Sequence, residues 1–140
     1  MTNRKLAYIV KDQRPIILVE DDSVQTACRV MCERRAGSVL VVDGAQRLSG
    51  IFTGRDAVRC LGLGADPART ALRDVMTARP KTVSPDERAI DALRLMCDGG
   101  FRHVPVVEGG RIWGIVSRGD FKGMEIDQLD IEEHLAECIR

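Results

Sequence analysis

The chain has 140 residues, of which 44% are apolar, 30% charged and 4% aromatic, and its 21 basic and 21 acidic side chains leave no net charge. This composition excludes a disordered chain and a collagen-like repeat, and no apolar run reaches the roughly 20 residues of a membrane span. Neutrality also argues against general nucleic-acid binding, which usually needs a basic surplus.

The first half of the chain predicts a strand, a helix and two further strands. Residues 15–19 form a short β-rich run, and Asp22 or Ser23 can begin a helix. Two β-rich runs follow at residues 39–42 and 48–53. The buried face of the helix is expected to consist of Val24, Ala27, Cys28 and Met31, which recur at three- and four-residue steps.

The second half predicts a linker helix and then a similar set of elements. Asp66 and Pro67 can begin the linker helix, and Ser84 can begin the next helix, with Glu87 completing a capping box. Glycines at 99–100 are expected to end that helix. The β-rich runs of this half are residues 81–83, 104–107 and 112–116, and an amphipathic helix is expected at residues 131–139.

The two halves repeat one pattern. Residues 50–56 match residues 114–120 in a motif of Gly, two apolar residues, Thr or Ser, two variable positions and Asp. Upstream, residues 39–43 match residues 104–108. The matching helix residues are Ala27, Met31 and Cys32 against Ala92, Met96 and Cys97. Two units of about 60 residues therefore share one strand–helix–strand–strand–helix plan.

The motif at the end of each repeat suggests a phosphate and ribose site. A hydroxyl residue that caps the next helix, with nearby backbone N–H groups and an arginine, suits an anion. The aspartate can accept hydrogen bonds from the two vicinal hydroxyls of a ribose. The alternative is a simple helix cap with a favourable first-turn acid. The residues concerned are Thr53, Arg55 and Asp56 in the first repeat, and Ser117, Arg118 and Asp120 in the second.

The sequence resembles a tandem pair of CBS domains, the module named after cystathionine β-synthase and also called a Bateman module. The resemblance extends from about Tyr8 to about Phe121. It rests on the two Gly-Ile-x-Thr/Ser-x-x-Asp endings, on Val-Pro-Val-Val-Glu at residues 104–108, and on Asp-Val-Met-Thr at residues 74–77 before Pro80. The expected divisions are repeat 1 at residues 8–64, a linker helix at 65–76, repeat 2 at 77–124 and a tail helix at 125–140.

The resemblance implies an α+β fold of two β-α-β-β-α CBS repeats packed about a pseudo-twofold axis, with two clefts between the repeats. Members of the family bind AMP, ADP, ATP, S-adenosylmethionine or NAD(H) in these clefts. In the family the hydroxyl residue meets phosphate, the aspartate meets ribose, and adenine packs against apolar strand residues, commonly from the other repeat.

Carried over residue by residue, the family pattern gives two candidate ligand sites. The first joins Thr53, Arg55 and Asp56 with Thr77, Lys81, Thr82, Phe101, His103 and Pro105. The second joins Ser117, Arg118 and Asp120 with Ile16, Ile17, Ser38 and Leu40. The first repeat has Leu40 where the second has Pro105, and Lys11-Asp12 where the second has Met76-Thr77. These departures favour the first site over the second.

Several side chains keep alternative interpretations. Cys28 and Cys32 are four residues apart, as are His134 and Cys138, but structural zinc needs four converging ligands, so no metal is expected. His103 is either a ligand contact or a partly exposed strand residue. Trp113 is predicted to be buried in the core, to pack under the last helix or to form a dimer contact.

The sequence therefore predicts a regulatory module that binds an adenine nucleotide of the AMP, ATP or NAD(H) type. We expect a free-standing homodimer that serves an unknown partner protein, without catalysis, membrane insertion or nucleic-acid binding. The five cysteines are odd in number without a CxxC pair, and residues 1–10 lack a secretory signal, which favours the cytoplasm. The alternative is a ligand-free module of the same fold for dimerisation or partner docking.

Overall fold

The computed structural model describes residues 4–121, which form two compact units. Residues 15–80 make up the first-repeat unit. Residues 4–14, together with residues 81–121, make up the second-repeat unit.

Helices and strands are interspersed along the described chain. In order they are α1 (Leu6–Val10), β1 (Ile17–Val19), α2 (Val24–Arg34), β2 (Ser38–Val42), β3 (Leu48–Thr53), α3 (Gly54–Gly62), α4 (Leu72–Val75), β4 (Thr77–Ala78), α5 (Ala89–Gly99), β5 (His103–Glu108) and β6 (Arg111–Ser117), followed by a 3₁₀ turn at Arg118–Asp120. The predicted tail helix lies outside the described residues.

The first-repeat unit is a four-stranded sheet covered by helices. Its strand order is β1-β2-β3-β4, with β1 parallel to β2 and the other pairs antiparallel. The Ser23 side chain caps α2 by accepting the Thr26 N–H at 3.1 Å, as the sequence predicts. The core of the unit includes Val41, Phe52 and Leu72, all fully buried.

The second-repeat unit is an antiparallel hairpin, β5-β6, packed with α5 and α1. Gly109 and Gly110 form the hairpin turn at φ of 60° and 79°, which glycine adopts without strain. The core includes Leu6 of α1 and Leu93 of α5, both fully buried. Gly100 ends α5 in the left-handed conformation, as predicted.

Helix α5 begins at Ala89, five residues after the predicted start at Ser84. Glu87 does accept the Ser84 N–H at 2.7 Å, but this bond closes a separate turn. The helix cannot extend back, because the carbonyl of Pro85 accepts the N–H of Ala7. The Ala89 N–H donates instead to the carbonyl of Arg4 at 2.7 Å. A long-range pairing thus replaces the first turn of the predicted helix.

Two other predicted elements are shorter than expected. The linker helix was expected from Asp66, but α4 starts at Leu72 because Thr70 and Leu72 are bonded to Val24 and Asp22 across the unit. The predicted strand at residues 81–83 is a single parallel bridge between Val83 and Val106.

The sequence repeats and the compact units are offset by one short helix. In the chain, α1 precedes β1 of the first repeat, yet it packs in the second-repeat unit. Correspondingly, α4 precedes the second repeat but packs against β3 in the first-repeat unit. The predicted division at residue 8 therefore falls inside α1, which the structure groups with residues 81–121.

Candidate functional site

The first candidate turn joins β3 to α3. The Asp56 carboxylate accepts the Thr53 N–H at 2.9 Å and the Thr53 hydroxyl at 3.2 Å, both through Oδ2. The Thr53 hydroxyl in turn accepts the Asp56 N–H at 3.4 Å, which completes a capping box. The other carboxylate oxygen, Oδ1, accepts from Arg59 at 3.4 Å. Both oxygens of this carboxylate are therefore engaged, and Asp56 is only 4% exposed.

The second candidate turn follows β6 with the same motif and a different outcome. The Asp120 carboxylate accepts the Ser117 N–H at 2.7 Å and the Ser117 hydroxyl at 3.3 Å, again through Oδ2. Among the described residues, no side chain donates to its Oδ1. Asp120 is half-buried and is the last residue of a helical turn that has only three residues, Arg118–Asp120. Within residues 4–121, this carboxylate therefore has one oxygen without a side-chain donor, unlike that of Asp56.

Strand register places further predicted residues beside each turn. Ser38 of β2 lies directly opposite Thr53, and Ile17 of β1 lies opposite Leu40. In the second-repeat unit, His103 of β5 lies directly opposite Ser117. Each turn therefore has a neighbouring side chain from its own unit, which is Ser38 in one case and His103 in the other.

His103 is the described residue with a perturbed imidazole. Its pKa is lowered, chiefly by burial, and secondarily by the charge of Arg102, while the Asp120 carboxylate acts in the opposite direction. The imidazole is therefore neutral at pH 7 and can donate one hydrogen bond and accept another.

The remaining predicted residues differ widely in exposure. Pro105 and Ile16 are buried, and Phe101 and Arg118 are half-buried. The exposed members are Arg55, Thr77, Lys81 and Thr82. The predicted ligand sites draw residues from both compact units, and that grouping stays a prediction.

Two arginines near the turns were not predicted from the sequence. Arg59 lies three residues after Asp56 on α3, a spacing that could have indicated the contact. Arg4 donates to the backbone carbonyl of Asp120 at 2.9 Å from 116 residues away, and no local pattern signals such a contact.

No disulfide joins the cysteines within residues 4–121, which are Cys28, Cys32, Cys60 and Cys97. Burial raises the pKa of the Cys28 thiol, and the nearby Cys60 raises it further. Within residues 4–121, no three His, Cys, Asp or Glu side chains converge as a possible metal site. Trp113, predicted chiefly as a core residue, is 39% exposed beside Arg111.

A family model for the CBS domain matches residues 9–62 and 72–124 of this chain. The chain belongs to the CBS domain family. CBS domains are generally regulatory modules. Over the described part of the chain, no helix has both the length and the apolar character needed to cross a bilayer.

A relative from Arabidopsis thaliana extends this match. The CBS domain-containing protein CBSCBSPB2 of Arabidopsis thaliana is 42% identical over 100 residues, which are 71% of this chain and 19% of that protein. This chain thus spans about a fifth of that relative's length.

The solved structures have the same fold. A CBS domain protein from Pyrobaculum aerophilum, complexed with AMP, has a TM-score of 0.82 at 20% identity and covers 91% of this chain and 98% of its own. The CBS domain pair of protein MJ0100, complexed with 5′-methylthioadenosine and S-adenosyl-L-methionine, has a TM-score of 0.71 at 26% identity, covering 79% and 93%. These likenesses confirm the predicted α+β fold of a CBS pair.

Proposed function

We propose that this chain binds an adenine nucleotide and acts as a regulatory sensor of energy or redox state for a partner protein. The observation that carries the proposal is the duplicated turn, in which a hydroxyl residue and an aspartate three positions later are bonded together in both units. A carboxylate fixed in this way suits the two vicinal hydroxyls of a ribose.

The ligands of the related structures support this class of compound. The Pyrobaculum protein is complexed with AMP, and the MJ0100 pair with 5′-methylthioadenosine and S-adenosyl-L-methionine. All three compounds contain adenine attached to a ribose ring with its two vicinal hydroxyls. We therefore propose AMP, ATP or NAD(H) as the ligand class for this chain.

The two turns are not equally suited to a ribose. Among the residues that the structure describes, Asp120 has no side-chain donor on one carboxylate oxygen and is half-buried, whereas Asp56 is buried and accepts from Arg59. We therefore rank the Ser117–Asp120 turn first, although the sequence pattern favours the Thr53–Asp56 turn. Arg59 has an exposed side chain, so a ligand can displace it at little cost.

The other predicted residues have roles that match their chemistry. Hydroxyls and cationic groups suit the phosphate, and these are Thr53, Ser117, Thr77, Thr82, Arg55, Arg118 and Lys81. Apolar groups suit the adenine, and these are Phe101, Pro105, Ile16, Ile17 and Leu40. Neutral His103 and the Ser38 hydroxyl can each bond a ring nitrogen or a ribose oxygen.

We also propose a homodimer in the cytoplasm. Helix α3 and the residue after it expose three large apolar side chains, Val58, Leu61 and Leu63, at 68%, 74% and 79%. We call these three side chains the exposed ridge on α3. A second copy packed on this ridge would remove its apolar area from water. The lack of a disulfide among the described cysteines is compatible with a reducing compartment.

Calorimetric titration tests the proposal. The purified protein is titrated with AMP, ATP, NAD, NADH and S-adenosylmethionine, and then with the 2′-deoxy form of the ligand that binds. Asp120→Asn and Asp56→Asn are titrated in parallel. We expect micromolar binding that falls about ten- to a hundredfold in Asp120→Asn, the effect of a lost hydrogen bond to a charged group. Wild-type affinity in both variants would contradict the ribose assignment.

The exposed ridge on α3 also favours a second candidate function, a ligand-free module for dimerisation or partner docking. A thermal shift separates the two functions, because a ligand at 100 times its Kd adds about 2.7 kcal/mol to the free energy of unfolding. A shift with one nucleotide supports the sensor. No shift with any of them, together with a dimer that Leu61→Asp dissociates in sedimentation, supports the docking module.

A further inference from the structure

The N-terminal segment, residues 4–10, is an integral part of the second-repeat unit. Its backbone pairs with the start of α5, where the carbonyl of Arg4 accepts the Ala89 N–H at 2.7 Å. The Leu6 N–H donates to the carbonyl of Glu87 at 2.9 Å. Leu6 is fully buried, and Val10 is 1% exposed in the core of the unit. These contacts fix the position of the Arg4 backbone independently of its side chain.

The side chain of Arg4 reaches the candidate ribose turn. Its guanidinium donates to the backbone carbonyl of Asp120 at 2.9 Å. The carboxylate of the same aspartate holds the other end of the turn through the Ser117 N–H at 2.7 Å. The backbone bond within the turn, from the Phe121 N–H to the Arg118 carbonyl, is long at 3.4 Å. The Arg4 guanidinium is therefore a long-range donor to a turn whose own backbone bond is long.

The first-repeat unit has no need of such a donor. There the turn continues into α3, whose nine residues supply their own ladder of backbone hydrogen bonds. The helical part of the second turn has three residues, and the chain leaves it at Phe121 in an extended conformation. The Arg4 contact is made to the last residue of this short turn.

We propose that Arg4 is a positioning residue for the Ser117–Asp120 turn. It follows that nucleotide binding at this turn and docking of residues 4–10 stabilise each other. This coupling rests on the proposed function, while the positioning itself does not. Because coupling between two sites is reciprocal, a partner that displaces residues 4–10 lowers the nucleotide affinity, and a bound nucleotide resists that partner. The N-terminal segment is then a regulatory input to the sensor.

Amide hydrogen exchange on the ligand-free protein tests the positioning role. Arg4→Gln removes the guanidinium, Arg4→Lys keeps the charge, and Lys5→Gln is the matched control on an exposed neighbour. In Arg4→Gln we expect the Ser117 amide to exchange about tenfold faster, with partial rescue in Arg4→Lys and no change in Lys5→Gln. Amides of α5 serve as the internal reference, because global destabilisation would accelerate them equally. Unchanged exchange at Ser117, or equal acceleration in α5, would overturn the proposal.

Titration with AMP then tests the coupling. We expect Arg4→Gln to weaken AMP binding about tenfold, Lys5→Gln to leave it unchanged, and AMP to protect residues 4–10 from exchange in the wild type. Wild-type affinity in Arg4→Gln, alongside lost affinity in Asp120→Asn, would overturn the coupling and leave the proposed function intact. A wild type that binds neither AMP nor the other nucleotides would overturn the proposed function and the coupling, and the exchange rates would still decide the positioning role.

Discussion

The two repeats carry the same glycine in their closing motif, but each packs it against a different kind of segment. A Cβ atom at Gly50 would meet the side chain of Met76, which lies just before β4. A Cβ atom at Gly114 would lie 2.8 Å from the Cβ of Val10 and 2.8 Å from Oε1 of Gln13, both in the N-terminal part of the chain. Each unit thus fills this space with the segment that precedes the other repeat. Sequence similarity defines the repeats, while packing defines units that are offset from them.

The two aspartates differ for the same kind of reason. Asp56 stands at the start of a full helix, where a helical neighbour, Arg59, reaches its second oxygen. Asp120 stands in a three-residue turn, and the Arg4 guanidinium donates to its backbone carbonyl. One motif therefore gives a closed helix cap in the first-repeat unit and a more open carboxylate in the second. The variants that follow compare the two units at matched positions, in order from the largest expected effect to the smallest.

Alanine at the two matched glycines should give the largest difference. Gly114→Ala forces a methyl group against Val10, a β-branched and buried side chain that cannot rotate away. Gly50→Ala meets the far end of Met76, a flexible side chain that can adapt. We expect a loss of about 2–3 kcal/mol in the free energy of unfolding for Gly114→Ala and about 1 kcal/mol for Gly50→Ala.

Urea unfolding measures both variants, and exchange of the amides in residues 4–10 reports whether the segment is displaced. Equal losses in the free energy of unfolding for Gly50→Ala and Gly114→Ala would mean that Met76 adapts no better than Val10.

Removing the two carboxylates should give the next largest difference. Asp56→Ala removes a cap from a nine-residue helix and leaves the part-buried Thr53 N–H without its acceptor, so we expect a loss of about 2 kcal/mol. Asp120→Ala affects a half-buried turn that Arg4 still holds, and we expect about 1 kcal/mol. Thermal and urea unfolding of the ligand-free proteins provide the measurement. If Asp120→Ala lost more free energy of unfolding than Asp56→Ala, Asp120 would be the greater contributor to stability.

The parts of this picture that the sequence predicts are local. The Ser23 cap, the end of α5 at Gly100, and the pairing of each hydroxyl residue with the aspartate three positions later follow from spacing within one helical turn. The family resemblance correctly predicts the fold, because the motif occurs twice in the same order.

The parts that sequence patterns do not predict depend on contacts between distant residues. Ser84 carries a strong helix-start pattern, but pairing with the N-terminal segment delays the helix to Ala89. The contact from Arg4 to Asp120 spans 116 residues. It uses a backbone carbonyl, which every residue has, so the residue type at position 120 does not predict it. Asp120 ends a short three-residue turn, whereas Asp56 lies in a nine-residue helix, and the shared motif does not show this difference.

We expect the histidine-dependent change in the free energy of unfolding with pH to arise in the second-repeat unit. His103 lies opposite Ser117, whereas the matching position opposite Thr53 is Ser38, which does not titrate. Because burial lowers the pKa of His103 below its ordinary value of 6.5, the unfolded chain binds a proton before the folded one does. The His103 contribution to stability is therefore complete above about pH 6.5 and is lost as the pH falls toward the lowered pKa.

Urea unfolding between pH 7.5 and pH 5, at values chosen around the ordinary histidine pKa of about 6.5, measures this effect. We expect a smaller decline with falling pH in His103→Asn than in the wild type, since only the wild type gains the proton on unfolding at this position. Parallel curves for the two proteins would show that His103 titrates as it does in the unfolded chain.

The smallest expected effect comes from the ion pair between Arg59 and the Asp56 carboxylate. Arg59 is 60% exposed but its partner carboxylate is only 5% exposed, so solvent screens this pair less than a fully exposed one. We expect Arg59→Gln to lower the free energy of unfolding by about 0.5–1 kcal/mol. Arg29→Gln is the matched control, because Arg29 and Glu33 form a pair on α2 with both side chains more than half exposed, and its expected effect is about 0–0.3 kcal/mol. Equal effects for the two variants would mean that Arg59 does not hold the second oxygen, so that Asp56 would be as available to a ligand as Asp120.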